Sequence, residues 1–315
     1  MKLVSIPANP VPDQFVVGSL KTADGVNLRF ARWAPPAGRR GTVCLFQGRS
    51  EWIEKYFEMV RDLRSRGFAV ATLDWRGQGL SDRPLGDRRK GHVRDFSEYD
   101  ADLETFMREI VLPDCPPPLF ALGHSTGANI LIRAAHRGRR WFDRMVLTAP
   151  LIAFGDIARW SAMSSVFVRA LRLSGFGGIY VPRRNNGVMQ LRPFVGNILT
   201  SDPVRYARNA AILEAEPQLA LGAPTVAWCD AAFRSMHAMR QHSYPADIRQ
   251  PILIIAGGSD AVVSNAAIED FGTALRAGSH LVVVGAQHEL LMEQDRFRSQ
   301  FWAAFDAFVP GSPLF

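Results

Sequence analysis

Short unbroken apolar runs alternate along this chain with longer segments in which apolar side chains recur at helical spacing. The runs are TVCLF (42–46), FAVATLD (68–74), LFALG (119–123), RMVLTA (144–149), PILIIAG (251–257) and HLVVVG (280–285). Continuous apolar sequence of this length predicts strands buried on both faces. Between them, residues 54–67, 99–111, 127–138, 265–278 and 295–309 carry the helical pattern, and Gly67, Gly138 and Gly278 stand where helix C-termini are expected. Alternation of the two patterns predicts an α/β fold with a mostly parallel central sheet and helices on both faces. Ahead of it, residues 14–33 read as an antiparallel hairpin turning at Asp24-Gly25.

Residues 151–245 interrupt the alternation, with no comparable strand run. Their segment 157–176 places Trp160, Met163, Phe167 and Leu171 at helical spacing, where they can pack as added core. Inserted between two predicted sheet strands, 151–245 is expected to form a helical cap on a core built from 1–150 and 246–315. Such a cap can bury one face on the body and line a pocket with the rest.

Composition narrows the class. With 47% hydrophobic residues in 315, the chain can bury a large core and does not read as disordered. The N-terminal MKLVSIPANPVPDQ, with one lysine and three prolines, lacks the pattern of a secretory signal. No apolar run approaches the roughly 20 residues of a membrane-spanning helix. The expectation is a soluble, cytoplasmic protein. Cys44, Cys115 and Cys229 are far apart and lack metal-ligand spacing, so neither a disulfide framework nor a metal site is expected, and Cys44 reads as core. The net charge of +7 is carried by scattered clusters at 88–90, 137–140 and 183–184. Without a nucleic-acid-binding motif this excludes nucleic acid as the expected partner and leaves a solvated surface or contact with an anionic membrane.

The chemistry lies where strands end. Gly123-His124-Ser125-Thr126-Gly127 fits G-x-S-x-G after a strand and before a helix, a sharp turn that exposes a serine above a helix N-terminus. A serine hydroxyl needs a base and an orienting acid. His288 follows the last strand run, and Asp260 follows the run before it. The order Ser, Asp, His is that of α/β-hydrolases, and it assigns Ser125 as nucleophile, His288 as base and Asp260 as the residue that orients the base. His124 reads as packing. His92, His136, His237, His242 and His280 lack the position after a terminal strand, and Asp230 and Asp247 precede their strand instead of following it. Two oxyanion donors are required. The Thr126 N–H is one, and the Arg49 N–H, beside Gly48 after the first parallel strand, is the best candidate for the other.

These residues, with LDWRGQGLSDR (73–83), KGHVRDFSEYDADL (90–103), GGSD (257–260) and GAQHELLME (285–293), resemble the α/β-hydrolase superfamily over nearly the whole chain. Within it they resemble the lysophospholipase and monoacylglycerol lipase group of S33-type serine hydrolases. The resemblance implies a cap over the site, a carboxylic-ester substrate with a fatty acyl chain, no cofactor, and the same roles for Ser125, Asp260, His288, Arg49 and Thr126. One departure is Gln47, where many relatives have histidine before the glycine. The backbone donor survives this change, but the hydrogen bonds of the loop must differ. Arg159, Arg169, Arg172, Arg183 and Arg184 suit a phosphate head group and equally a solvated surface. A small-ester carboxylesterase, an aminopeptidase of the same superfamily and a non-catalytic binding protein on a hydrolase scaffold are the competing readings.

Overall fold

The hairpin forms from β1 (Phe15–Lys21) and β2 (Asn27–Trp33), antiparallel and in register from Phe15 opposite Trp33, with Gly25 supplying a φ of +88° at the turn. Residues 1–35, 40–155, 162–182 and 187–309 are described in this computed structural model, apart from the side chains of residues 162 and 163. The chain continues through β3 (Thr42–Phe46), α1 (Phe57–Ser65), β4 (Ala69–Leu73) and α2 (Ser97–Phe106). The last of these runs on through a π-turn at Met107–Val111 into α3 (Leu112–Asp114). After β5 (Leu119–His124), α4 (Thr126–His136) and β6 (Arg144–Thr148) come α5 (Ala162–Leu173), α6 (Pro203–Ala215) and α7 (Val226–Met239). β7 (Ile252–Gly257), α8 (Asn265–Ala274), β8 (Gly278–Val283) and α9 (Asp295–Phe308) complete the chain.

The eight strands form one sheet in the order β1-β2-β4-β3-β5-β6-β7-β8, parallel from β4 to β8. Every residue of β3, β4, β5 and β7 is buried, as unbroken apolar runs require. One face packs on α1 and α9 through Phe57, Leu63, Phe301 and Phe305. The other packs on α2, α4 and α8 through Phe106, Leu131 and Phe271. Each such side chain contributes roughly 1.5–3 kcal/mol by leaving water. This is an α/β-hydrolase architecture, and Gly67 and Gly138 follow α1 and α4 with φ of +88° and +78°.

Three expectations need correction. Gly278 does not end a helix: α8 stops at Ala274 and Gly278 opens β8, where an added Cβ would lie 2.5 Å from that of Leu275. The last strand is not buried on both faces. β8 is the sheet's edge, beyond full cover by the helices, and Leu281, Val282 and Val284 are exposed. Phe167 is not core: α5 packs on α7 with Val168 buried, so its neighbour in the helix points outward and is 54% exposed. Arg159, Trp160, Arg183, Arg184 and the side chain of Met163 lie outside the described residues.

The helices between β6 and β7 rest on the body through α7, whose Trp228, Met236 and Met239 join the same apolar cluster as Leu131 of α4. Strand order reverses between β3 and β5, so the chain leaving β3 runs to the face of α1 and the chain leaving β5 to the face of α4. At that reversal α4 starts very close to β3. A Cβ on Gly127 would lie 2.3 Å from the Phe46 carbonyl oxygen and 2.7 Å from that of Gln47. Gly127→Ala is therefore expected to cost more than about 2 kcal/mol, seen as a lowered Tm. Gly86→Ala, with nothing within 4 Å of its Cβ, should stay within about 0.5 kcal/mol of the parent; equal melts for the two would refute the packing account.

Candidate active site

β5 delivers Ser125 into a turn that L-residues rarely adopt, φ 50° and ψ −110°. Such a conformation costs of order 1–3 kcal/mol and persists only where its surroundings hold it. Here the Ser125 N–H donates to Thr148 O at the end of β6 (3.0 Å), while Ser125 O accepts from the N–H groups of Asn129 (3.0 Å) and Leu151 (3.1 Å). The Asn129 side chain closes the ring by donating to Leu151 O at 2.6 Å. Gly123 is needed because a Cβ there would lie 2.6 Å from Leu131 Cδ1 and 3.0 Å from Ala128 Cα. The loop after β3 reaches the serine from the other side: a Cβ on Gly48 would be 3.1 Å from Ser125 Cβ.

The loops after β7 and β8 bring Asp260 and His288 to the same point. Asp260 Oδ1 accepts from the N–H groups of Val262 (2.7 Å) and Val263 (3.1 Å), which aims Oδ2 at His288 Nδ1, 2.7 Å away. A carboxylate can only accept, so the ring proton sits on Nδ1 and leaves Nε2 free to accept from Ser125 Oγ at 3.2 Å. Burial opposes the charge of Asp260, but the His288 ring and the two N–H groups outweigh it and hold the carboxyl below its ordinary pKa. Burial likewise opposes protonation of His288, and Asp260 reverses it, raising the imidazole pKa. The arrangement can move a proton from a hydroxyl to a ring whose positive charge is already compensated.

The structure gives the competing residues other partners. His124 is buried with Nδ1 3.1 Å from Thr148 Oγ1 and its ring 4.8 Å from that of His288. His92 meets Thr225, and His136 stacks on Tyr244 beside Asp247. Asp230 is held by Arg172 and Arg234. Thr126 opens α4, where helix N–H groups have no intrahelical acceptor. Arg49 follows Gly48, and its guanidinium donates to Gly222 O at 2.8 Å and covers the Trp228 ring. Gln47, in the position noted as a departure, accepts from Thr72 and donates to Asp74, both at 3.4 Å.

Sequence reasoning missed a buried group of charges against this site. Lys55 Nζ lies 2.6 Å from Glu51 Oε1 and 2.7 Å from Glu289 Oε1, with all three side chains nearly inaccessible. Glu51 and Lys55 are spaced i, i+4, which reads as an exposed pair. The signal that could have revealed them is their apolar frame of Trp52, Ile53, Tyr56 and Phe57, all buried.

The pKa values of the two adjacent histidines are displaced in opposite directions. Burial pushes His124 down to about 4, with only partial opposition from Glu51, whereas His288 sits above its ordinary value. Imidazole NMR should show His124, identified by loss of its signals in His124→Asn, neutral and unchanged from neutrality down to about pH 5. A His124 midpoint near the ordinary 6.5 would refute the role given to burial.

A family model described as serine aminopeptidase, S33 matches residues 37–295. Lysophospholipase L2 of Escherichia coli strain K12 is 31% identical over 289 residues, covering 88% of this chain and 82% of the relative. Monoacylglycerol lipase of Mycolicibacterium smegmatis is 28% identical over 241 residues, covering 76% and 77%. In structure, a soluble variant of Saccharomyces cerevisiae monoglyceride lipase aligns with a TM-score of 0.74 at 18% identity, over 97% of this chain and 98% of the other. A carboxyl esterase from Bacillus coagulans aligns with a TM-score of 0.74 at 20% identity, over 95% and 99%. The sheet order and the extent of these matches lead to one assignment: the chain belongs to the serine aminopeptidase S33 family of α/β-hydrolases.

Proposed function

We propose that this protein is a serine hydrolase that cleaves the carboxylic ester of a lipid-like substrate, a lysophospholipid or a monoacylglycerol, through an acyl-enzyme. The observation that carries the reading is the line Ser125 Oγ, His288 Nε2 (3.2 Å), His288 Nδ1, Asp260 Oδ2 (2.7 Å) on a left-handed turn. Ser125 Oγ attacks the ester carbonyl carbon as His288 Nε2 takes its proton. The N–H groups of Thr126 and Arg49 receive the negative oxygen. Collapse expels the alcohol, which takes the proton from His288 and leaves the acyl group on Ser125. Water, deprotonated by His288, then attacks the acyl carbon and releases the fatty acid and the serine. Asp260 stabilises the imidazolium in both halves.

Lipid as the substrate class draws support from the names of the relatives and from the segment between β6 and β7, which in this reading is a cap. Val166 (68% exposed), Phe167, Leu173 (72%) and Phe176 line the outside of α5 and the turn after it. Residues 157–201 contain Arg159, Arg169, Arg172, Arg183, Arg184 and Arg192 and no aspartate or glutamate. An exposed apolar face within an acid-free basic segment suits an anionic bilayer as the surface from which the substrate is taken. Among the described residues no helix is long and apolar enough to cross a membrane.

A fluorophosphonate probe should label Ser125, and Ser125→Ala should lose label and at least about 10⁴-fold in kcat. Turnover of lysophosphatidylcholine and monoacylglycerol should exceed that of short p-nitrophenyl esters and aminoacyl amides. Preference for the short esters would leave a small-ester carboxylesterase, preference for the amides an aminopeptidase, and absence of labelling a binding protein.

Sedimentation with vesicles tests the membrane surface. Binding to anionic vesicles should fall with salt and drop about tenfold or more in a Phe167→Ser, Leu173→Ser double variant. Hydrolysis of a soluble p-nitrophenyl ester should be unchanged. Equal binding by parent and variant would reject this face.

A further inference from the structure

We propose that Lys55 is a positioning residue: bridging Glu51 beside the Gly48 loop and Glu289 beside His288, it holds the oxyanion side of the site and the base in register about Ser125. This rests on the reading of Ser125 and His288 given above.

The bridge is continuous. Glu51 Oε2 accepts from the Gly48 N–H and, at 2.7 Å, from the Tyr56 hydroxyl, so one carboxylate sets the turn that precedes Arg49. Its other oxygen meets Lys55 Nζ at 2.6 Å, and the same ammonium meets Glu289 Oε1 at 2.7 Å. Glu289 is the residue after His288, and its N–H donates to Leu199 O at 2.7 Å. Gly48 and Glu289 are far apart in sequence and follow different strands, β3 and β8. Among the contacts described, Lys55 is the side chain that meets carboxylates from both loops. Gln78 Nε2 donates to the Gly48 carbonyl at 2.8 Å and completes the support of that loop from another side.

The chemistry of the cluster gives it rigidity. One cation faces two carboxylates with almost no access to water, so loss of the cation would leave two buried like charges with nothing between them to offset their repulsion. Burial raises the Glu289 pKa, and the neighbouring Glu51 charge adds to the rise against the pull of Lys55, whereas Glu51, despite its own burial, is drawn down to about 2 by Lys55 and His124. The ammonium, itself kept charged against burial by the two carboxylates, is therefore what lets both approach at hydrogen-bonding distance.

Loop register matters most when charge develops on the substrate oxygen, so loss of the bridge should fall on kcat and spare KM. Kinetics on a soluble p-nitrophenyl ester, normalised to the concentration of sites titrated by a fluorophosphonate, test this in the full chain. Lys55→Met and Glu289→Ala should each lower kcat about tenfold or more with KM within about threefold. Lys55→Arg should recover part of the loss in Lys55→Met, and Glu289→Gln, whose amide oxygen can still accept from Lys55, most of the loss in Glu289→Ala. Unchanged kcat in Lys55→Met and Glu289→Ala, a loss carried wholly by KM, or Glu289→Gln no better than Glu289→Ala would overturn the proposal. Should Lys55→Met not fold, the two Glu289 variants decide. A parent enzyme that takes no label at Ser125 would refute the functional reading itself; a labelled parent with unaffected variants refutes only the bridge.

Discussion

The left-handed backbone at Ser125 is the constraint around which the rest is arranged. A conformation that costs of order 1–3 kcal/mol needs partners that cannot relax away, and it finds them in Thr148 at the end of β6, Leu151 just beyond it and Asn129 in α4. The glycines on either side serve the same end. Gly123 lets α4 fold back onto β5, and Gly127 lets its first turn sit against the carbonyls that close β3. Sheet, helix and loop thus meet at one residue, at the carboxyl end of the sheet where strand order reverses, and the hydroxyl meets His288 there.

Around this point the protein buries several charges. Arg29 of β2 lies 2.7 Å from Glu54 and 2.6 Å from Asp74, all without solvent access. Asp74 also accepts from the N–H groups of Ile53 and Leu80. Lys55 joins Glu51 to Glu289, and Asp260 faces His288. Buried pairs are weak sources of net stability, yet removal of one partner typically costs about 3–5 kcal/mol. Their effect is specification. Each ties together segments distant in sequence, and together they hold the loops after β3, β4, β7 and β8 in one arrangement.

The segment between β6 and β7 has two faces of different character. Inward, it is pinned near the site: Leu199 O receives the Glu289 N–H, Gly222 O receives the Arg49 guanidinium, and Gln190 donates to Ser50 O. Arg205 adds a polar anchor to Glu58 of α1 and Asp295 of α9. Outward, α5 leaves Val166, Phe167 and Leu173 in solvent.

By itself the sequence determined the local order of this protein. Unbroken apolar runs and helical spacing marked the strands and the helices alternating with them to within a few residues, though not α6 and α7 of the insert; Asp24-Gly25 marked the hairpin, and strand-end positions singled out Ser125, Asp260 and His288, which the structure brings within hydrogen-bonding reach. These signals are local because backbone geometry and side-chain period act over a few residues. What is covered by what was not legible. β8 carries the same apolar run as the inner strands but lies at the edge, and Phe167 falls at helical spacing but faces out, since burial depends on neighbours the helix itself does not encode. Glu51 and Lys55 look like a surface pair, and Glu289 like an ordinary loop carboxylate. Only the tertiary structure decided that they meet in the dark behind the site, because pairing of buried charges is settled by which distant loops the sheet order brings together.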